Sequence, residues 1–446
     1  MKQILWFRRD LRIEDSALLE NAQGEVFPIF IFDIDILDSL PFDDKRVNFI
    51  YQSVIDLKQK LLKMNLDLAI FYGKPKEIFK NLKKFGFDEV LCSVDFDFYS
   101  KKRDDEIDKI IPLRQFIDSF ILNPANHLKN DGTPYKVFTP FYKSLDLLTN
   151  SNNIEQRSIS KNMVLFHYDY TDVPTLESMG FKLVNLPKIL TNGVKELLEK
   201  IPMKLSTYKE NRDYFYKDAT SNLSVFLRFG IISPVMVFNY VRNLKDSDFF
   251  IRELFWREFY NYILFHFPNS EFNNFNNIDI SWNENEDDFI RWCEGNTGVP
   301  IIDAAMRHLN RTGFMHNRLR MIVASFLTKN LFIDWKKGEK YFALKLLDYE
   351  ASSNIGSWQW GASTGADAAP YFRVFNPYTQ SKKFDEKGIF IKSVIKELKD
   401  VDSRLFHIEN GVQSNLFISY PKAMVDISIS RKRAIEKFKE AKNETV

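Results

Sequence analysis

From Lys2 the chain alternates short runs of β-branched and aromatic residues with stretches of helical period. ILWFRR, EVFPIFIF, LDLAIFYG, DEVLCSV and QFIDSFIL are strand-like, and segments such as 47–63 between them place apolar residues at helical spacing. Such alternation predicts a parallel sheet covered on both faces, so residues 1–125 are expected to form a Rossmann-like α/β domain of five strands. Ligands of such sheets sit beyond the carboxyl ends of the strands. Neither GxGxxG nor GxxxxGK[ST] occurs, so a nucleotide-like molecule would be held here without the usual phosphate loops.

Over 126–200 the periodicity fades, Pro134, Pro140, Pro174 and Pro187 recur, and NSNNIEQRSISKN is polar, so an interdomain linker is expected. From Leu205 onward helical patterns dominate, and 201–446 is expected to be all-α. The Asn-rich stretch 269–285 reads as a surface loop. Residues 348–377, DYEASSNIGSWQWGASTGADAAPYFRVFNP, fit neither helix nor strand. There Trp358 and Trp360 stand among Ala351, Ser352, Ser353, Gly356, Ser357, Gly361, Ala362 and Ser363, small residues that let backbone approach a flat ligand. A loop lying against a large planar group is expected.

With 446 residues the chain is too long for one ordinary core, and two or three domains are expected. A net charge of +2 excludes histone-like binding of nucleic acid but leaves room for a local basic groove. Residues 1–125 carry 19 Lys and Arg against 22 Asp and Glu, and the remainder 43 against 38, so the positive excess is C-terminal. Two cysteines, Cys92 and Cys293, provide neither a disulfide framework nor a metal cluster, and a reducing cytoplasm with no metal is expected. No apolar run approaches the length of a spanning helix, so no membrane association is expected.

Candidate chemistry lies mostly after residue 200. In a helix over 250–265, Glu253, Trp256, Arg257 and Tyr260 share one face, while Ile251, Phe255, Phe259 and Tyr262 form another. The first face suits contact with a ligand, and equally a salt-bridged packing surface. PIIDAAMRHLN and GFMHNRLRMIVASF read as two helices broken at Thr312–Gly313. Asn317, Arg320 and Met321 share a face of the second, and Arg318 points elsewhere. A guanidinium beside a flat cofactor would hold an anionic form of it, and one at the surface suits phosphate. Thr220, Ser221 and Ser224 precede an apolar run, as in a phosphate site or a simple helix cap.

Together WFRRDLRIEDSALL, YKVFTPF, ELFWREFY, GVPIIDAAMRHLNRTGFMHNRLRMIVASFLTKNLFIDW and SSNIGSWQWGASTGADAAPYFRVFNP resemble the DNA photolyase and cryptochrome family across nearly the whole chain. The likeness is nearest to class I cyclobutane pyrimidine dimer photolyases. It implies an antenna-type α/β domain over 1–125, a linker over 126–200, and a helical FAD-binding and DNA-binding domain over 201–446. By resemblance, Tyr208, Thr220, Ser221, Leu223 and Ser224 hold the flavin's phosphates and ribityl chain. Asn317, Arg320, Asp348, Glu350 and Asn354 surround its rings, with Arg320 and Asp348 as an ion pair and Asn354 facing the reactive nitrogen of reduced, anionic FAD. Arg212, Glu253, Trp256, Tyr260, Asn317, Arg318, Met321 and Trp360 match positions that meet damaged DNA, Trp256 and Trp360 walling the lesion pocket. Glu253 and Asn354 are thus catalytic candidates, and Trp358, Trp335 and Trp282 match an electron relay running outward from the flavin.

The implied activity is light-driven splitting of pyrimidine dimers in UV-damaged DNA by a monomer. Four positions depart from the class I pattern: Phe314 for Trp, Glu350 for Asp, Tyr349 for Gly and Asn222 for Arg. Phe98-Tyr99-Ser100-Lys101 lacks the Asn-Glu pair that holds a folate antenna in some relatives, which leaves any second chromophore undetermined. The rival readings are a cryptochrome-type blue-light receptor and a light-independent flavin or nucleic-acid binder. Asn rather than Asp at 354 and the short tail after Arg433 favour repair. His316 followed by Asn317 departs from the His pair expected of a (6-4) photolyase.

Overall fold

Strand β1 (Lys2–Phe7) is the centre of a parallel sheet, and its inward residues Ile4, Leu5, Trp6 and Phe7 are all buried. The remaining strands are β2 (Gly24–Asp33), β3 (Ala69–Gly73), β4 (Glu89–Ser93), β5 (Leu113–Phe116) and β6 (Met163–Leu165). Their order is β3-β2-β1-β4-β5. The near-continuous apolar runs of β1 and β2 follow from helices on both faces, among them Lys45–Leu62, Pro75–Leu82 and Phe98–Asp108. Asp44 starts the first of these by accepting from the amides of Arg46 and Val47.

This is a computed structural model that describes residues 1–151, 154–168, 173–191, 193–415 and 418–444. It divides into two compact units, Met1–Tyr135, Thr139–Leu205 and Ser221–Pro268 in the first, and Lys136–Phe138, Ser206–Thr220 and Asn269–Val446 in the second. The sheet belongs to the first.

Residues 1–125 supply the five strands expected, β1–β5, and among the described residues the sheet gains a sixth from 126–200. The extra strand, β6, pairs with the first residues of β2 (Gly24↔Met163), while β3 pairs with its second half (Ile29↔Ala69). Three residues inside a polar stretch are too few to show a strand's alternation. Residues 126–200 also hold the helix Phe138–Ser151 and the start of Val194–Leu205; the second buries Leu197, Ile201 and Leu205 at helical spacing. Asn152 and Asn153 of the polar connector lie outside the described residues.

Described residues of the second unit form helices and irregular connections. Pro300–Thr312 ends where Gly313 turns left-handed (φ 74°), as the sequence break anticipates. Asn317–Ser325, Trp335–Lys345, Ala351–Ala362 and Ile427–Glu444 follow. The expectation for 348–377 is therefore corrected: Ala351–Ala362 is a helix, and the chain is irregular at 348–350 and beyond its left-handed cap Ser363 (φ 65°). Glycines and serines lower helix propensity, but Ile355, Trp358, Gln359 and Ala362 are buried, and tertiary packing outweighs propensity. The small residues serve helix contact; a Cβ on Gly361 would stand 3.4 Å from that of Ala324. Among the described residues no helix is long and apolar enough to cross a membrane.

Candidate functional site

The second unit assembles an ion pair from two segments. His316 caps the helix Asn317–Ser325, its Nδ1 accepting from the Arg318 amide at 3.1 Å. Burial pushes this imidazole down to about 4, helped by the nearby guanidiniums of Arg320 and Arg318, so it is neutral and can accept. One turn on, Arg320 Nη2 donates to both oxygens of Asp348 at 2.9 and 2.7 Å, and its Nε to the Met315 carbonyl at 2.7 Å. Leu347 N donates to Gly313 O at 2.8 Å, which holds Asp348 in place. Asp348 is nearly buried and Arg320 a quarter exposed, and Nη1 of Arg320 makes no bond among the described residues.

Directly after Asp348 the helix Ala351–Ala362 begins at Glu350, which is buried and accepts from the Ser353 hydroxyl at 2.9 Å. Asn354, also buried, donates through Nδ2 to the backbone carbonyl of Glu339 at 3.1 Å and to its carboxylate at 3.0 Å. Burial lifts the Glu339 carboxyl above its ordinary value, while the bonds from Asn354 and Tyr349 oppose that rise. The structure thus places Asp348, Glu350 and Asn354 on one helix start and the segment before it, and brings Arg320 to them from the helix Asn317–Ser325. Glu339 was not singled out from sequence; as a lone Glu on a charged helix it gives no signal there.

Trp358 and Trp335 are buried in the same core cluster, and Trp282, half-buried, packs against it. Trp358 meets Phe342 (5.0 Å) and Trp292 (6.0 Å), the latter another residue that sequence reading passed over. Trp335 donates its indole N–H to Asn274 Oδ1 at 2.8 Å, and Trp282 lies 5.0 Å from the ring of Phe332. The Asn-rich stretch is therefore more than a surface loop. Gln359, between Trp358 and the half-buried Trp360, is itself buried and bonds the carbonyls of Ser270 and Asn273 and the amide of Phe275.

Asn317 is exposed and its amide approaches Met321 Sδ at 3.9 Å, on the shared face expected of them. Arg318 turns away, pairing with Asp213 at 2.7 Å and stacking over Phe384 at 4.7 Å. Arg212 lies over Tyr208, which is buried.

In the first unit the helix Asp248–His266 is clasped by the segment that leaves the sheet. Glu258 accepts from the amides of Ile121 and Leu122, Arg257 donates to Ser119 O at 2.7 Å, and His266 meets Pro124 O at 2.9 Å. Arg257 therefore serves packing, whereas Glu253, Trp256 and Tyr260 stay half-buried, with the two rings 5.7 Å apart. Thr220 falls in the second unit, and Ser221, Leu223 and Ser224 in the first. The short helix Ser224–Arg228 is preceded by Leu223 with no side-chain cap, so the simple capping alternative is not realised; Ser221 Oγ accepts from Leu223 N at 3.4 Å and Ser224 is exposed. At the carboxyl end of the sheet Tyr99 donates to Asp33 at 2.5 Å, and the guanidiniums of Arg8 and Arg103 each lie 4.8 Å from the Trp6 ring.

Two family patterns match this chain: DNA photolyase over residues 3–156, and the FAD binding domain of DNA photolyase over residues 250–440. A deoxyribodipyrimidine photo-lyase of Alkalihalophilus pseudofirmus is 36% identical, the alignment covering 98% of this chain and 97% of that protein. The crystal structure of a bacterial class III photolyase from Agrobacterium tumefaciens is similar with a TM-score of 0.85 at 31% identity, covering 99% of this chain and 98% of that one. A Synechocystis cryptochrome structure also reaches 0.85, at 26% identity, covering 98% and 99%.

Proposed function

The chain belongs to the DNA photolyase family, and from that premise we propose that it splits cyclobutane pyrimidine dimers in UV-damaged DNA, with reduced FAD as the light-driven electron donor. The observation that carries the reading is the Arg320–Asp348 pair leading into a helix whose first turns hold Glu350 and Asn354.

These residues fit a flavin. Arg320 keeps Nη1 for a ligand while Asp348 fixes its plane, and the side-chain oxygen of Asn354 is left for the cofactor because its Nδ2 is committed to Glu339. A guanidinium held this way stabilises negative charge on a planar ring. The hydroxyls of Thr220, Ser221 and Ser224 and the phenol of Tyr208 suit phosphate and ribityl oxygens. When bound, reduced FAD supplies the excited-state electron that opens the dimer and takes it back.

The other roles belong to side chains. A dimer cannot be reached inside the duplex, and flipping it out costs a few kcal/mol, less for a damaged pair; photolyases are among the examples given for that principle. Trp256 and Trp360 each offer an indole for stacking, worth roughly 1–3 kcal/mol per base. Glu253 and Tyr260 flank Trp256 on its helix and supply polar contacts to the lesion. Arg318 and Arg212 contact phosphates, and Asn317 and Met321 line the approach. Trp358, Trp335 and Trp282 carry electrons to the oxidised cofactor. Asn354, where plant cryptochromes typically carry Asp, favours repair over signalling. Blue-light-dependent loss of dimers from irradiated DNA tests the reading.

A further inference from the structure

We infer that Asn274 keeps the middle tryptophan of the relay protonated while it is oxidised, so that Trp335 passes an electron and no proton. The inference rests on the relay reading of Trp358, Trp335 and Trp282.

Trp335 is buried, and its indole N–H, a donor only, has its partner in Asn274 Oδ1 at 2.8 Å. The orientation of that amide is set by its other end. Nδ2 donates to Ile278 O at 2.7 Å, so the oxygen, not the nitrogen, faces the indole. The segment carrying it is anchored on both sides: Asn273 O accepts from Gln359 Nε2 at 3.2 Å, while Phe275 N donates to Gln359 Oε1 at 2.9 Å, Asn276 N to Thr364 O at 3.1 Å, and Asn276 Nδ2 to Ser363 O at 3.1 Å.

Removing one electron from an indole makes its N–H a far stronger acid. Lys336 Nζ, 6.0 Å from the ring, strengthens that acidity further. An amide oxygen accepts a hydrogen bond but is far too weak a base to take the proton. Its dipole stabilises the positive charge, and the hole stays mobile. The electron balance is then complete. Trp335 gives one electron to oxidised Trp358, whose own electron has gone to photoexcited oxidised flavin. Trp335 is refilled by one electron from Trp282, and Trp282, half-exposed, loses its proton to water and is reduced by an external thiol.

A carboxylate at 274 would behave differently, since it would take the proton and trap a neutral radical on Trp335. The test is flash photolysis of flavin-loaded protein carrying Trp282→Phe, which stops the hole at Trp335, with and without Asn274→Asp. The readout is the absorption spectrum of the tryptophan radical, protonated or neutral, and its recombination rate; flavin content and melting temperature are recorded beside it. We expect the protonated radical with Asn274 intact, and with Asn274→Asp a neutral radical whose recombination slows by at least about tenfold. Should Asn274→Asp fail to fold, Asn274→His places a base in a similar volume and is read the same way. A neutral radical already present with Asn274 intact, or the same protonated radical and rate with either base in place, overturns the inference while leaving the relay standing. Wild-type flavin photoreduction in Trp335→Phe removes the relay itself, and the inference with it.

Discussion

Asn354 commits its amide nitrogen to a single residue: Nδ2 lies 3.1 Å from the backbone carbonyl of Glu339 and 3.0 Å from its carboxylate. The two bonds run from the helix Ala351–Ala362 to the helix Trp335–Lys345, and they leave the side-chain oxygen of Asn354 as the atom for the proposed cofactor contact. In Glu339→Leu the backbone carbonyl remains but the charge-assisted bond is lost, at a cost of about 1–2 kcal/mol. Bound flavin should be retained, and reduced flavin should reoxidise in the dark several-fold faster. Stopped-flow absorbance in air measures this, and an unchanged rate would detach Glu339 from the function of Asn354.

Gly338 lies against Trp358. A Cβ there would fall inside van der Waals contact with Trp358 Cη2, 2.5 Å from Cζ3 and 2.6 Å from Leu327 Cδ2. Gly338→Ala gains about 1 kcal/mol of helix propensity, and the overpacking costs about 1–3 kcal/mol. Net destabilisation and a shifted Trp358 fluorescence are expected; a protein stabilised by the substitution would show that the two helices can part without cost.

Asp385 is buried, and its carboxyl is pushed up to about 6 by desolvation, against the opposing amides of Phe390 and Ile391 at 3.1 Å. A carboxyl raised on folding binds more protons in the native state. Its contribution is fully present below the ordinary carboxylate value and is lost as pH rises through about 6. The difference is on the order of 3 kcal/mol. Thermal melts across this window should show stability falling with pH in wild type, and a flatter profile in Asp385→Asn. Parallel profiles would mean that the carboxyl is ionised throughout.

Trp256 and Arg318 should separate lesion recognition from general affinity. Trp256→Ala should lower affinity for dimer-containing DNA about tenfold or more with flavin content intact, since stacking is worth roughly 1–3 kcal/mol per base. Arg318→Ala should weaken damaged and undamaged DNA alike and reduce the salt slope by about one. Arg318 pairs with Asp213 and stacks over Phe384, which orient its guanidinium. Binding titrations at several salt concentrations decide both, and lost damage preference in Arg318→Ala would move that residue to the lesion.

The elements with strong local patterns were legible in the chain. The parallel sheet announced itself through near-continuous apolar strands, the helix Asp248–His266 through its spacing, and the break at Gly313 through glycine's left-handed cap. The helix Ala351–Ala362 was hidden because its residues are chosen for close contact rather than propensity, so glycine and serine mimic a loop. β6 was hidden by its length. The Arg320–Asp348 pair could be named only through family resemblance, because 28 positions separate its partners. Glu339 and Asn274 were invisible for the same reason, each common in its residue type and meaningful only through one long-range bond.

The central claim is light-driven dimer repair, and dimer loss measures it most directly. DNA carrying cyclobutane pyrimidine dimers, and separately DNA carrying (6-4) photoproducts, is incubated with the flavin-reduced protein under blue light and in the dark. The account predicts that cyclobutane dimers are lost in the light only and that (6-4) products persist. Dimers unchanged in the light, with flavin bound and reduced, would contradict it.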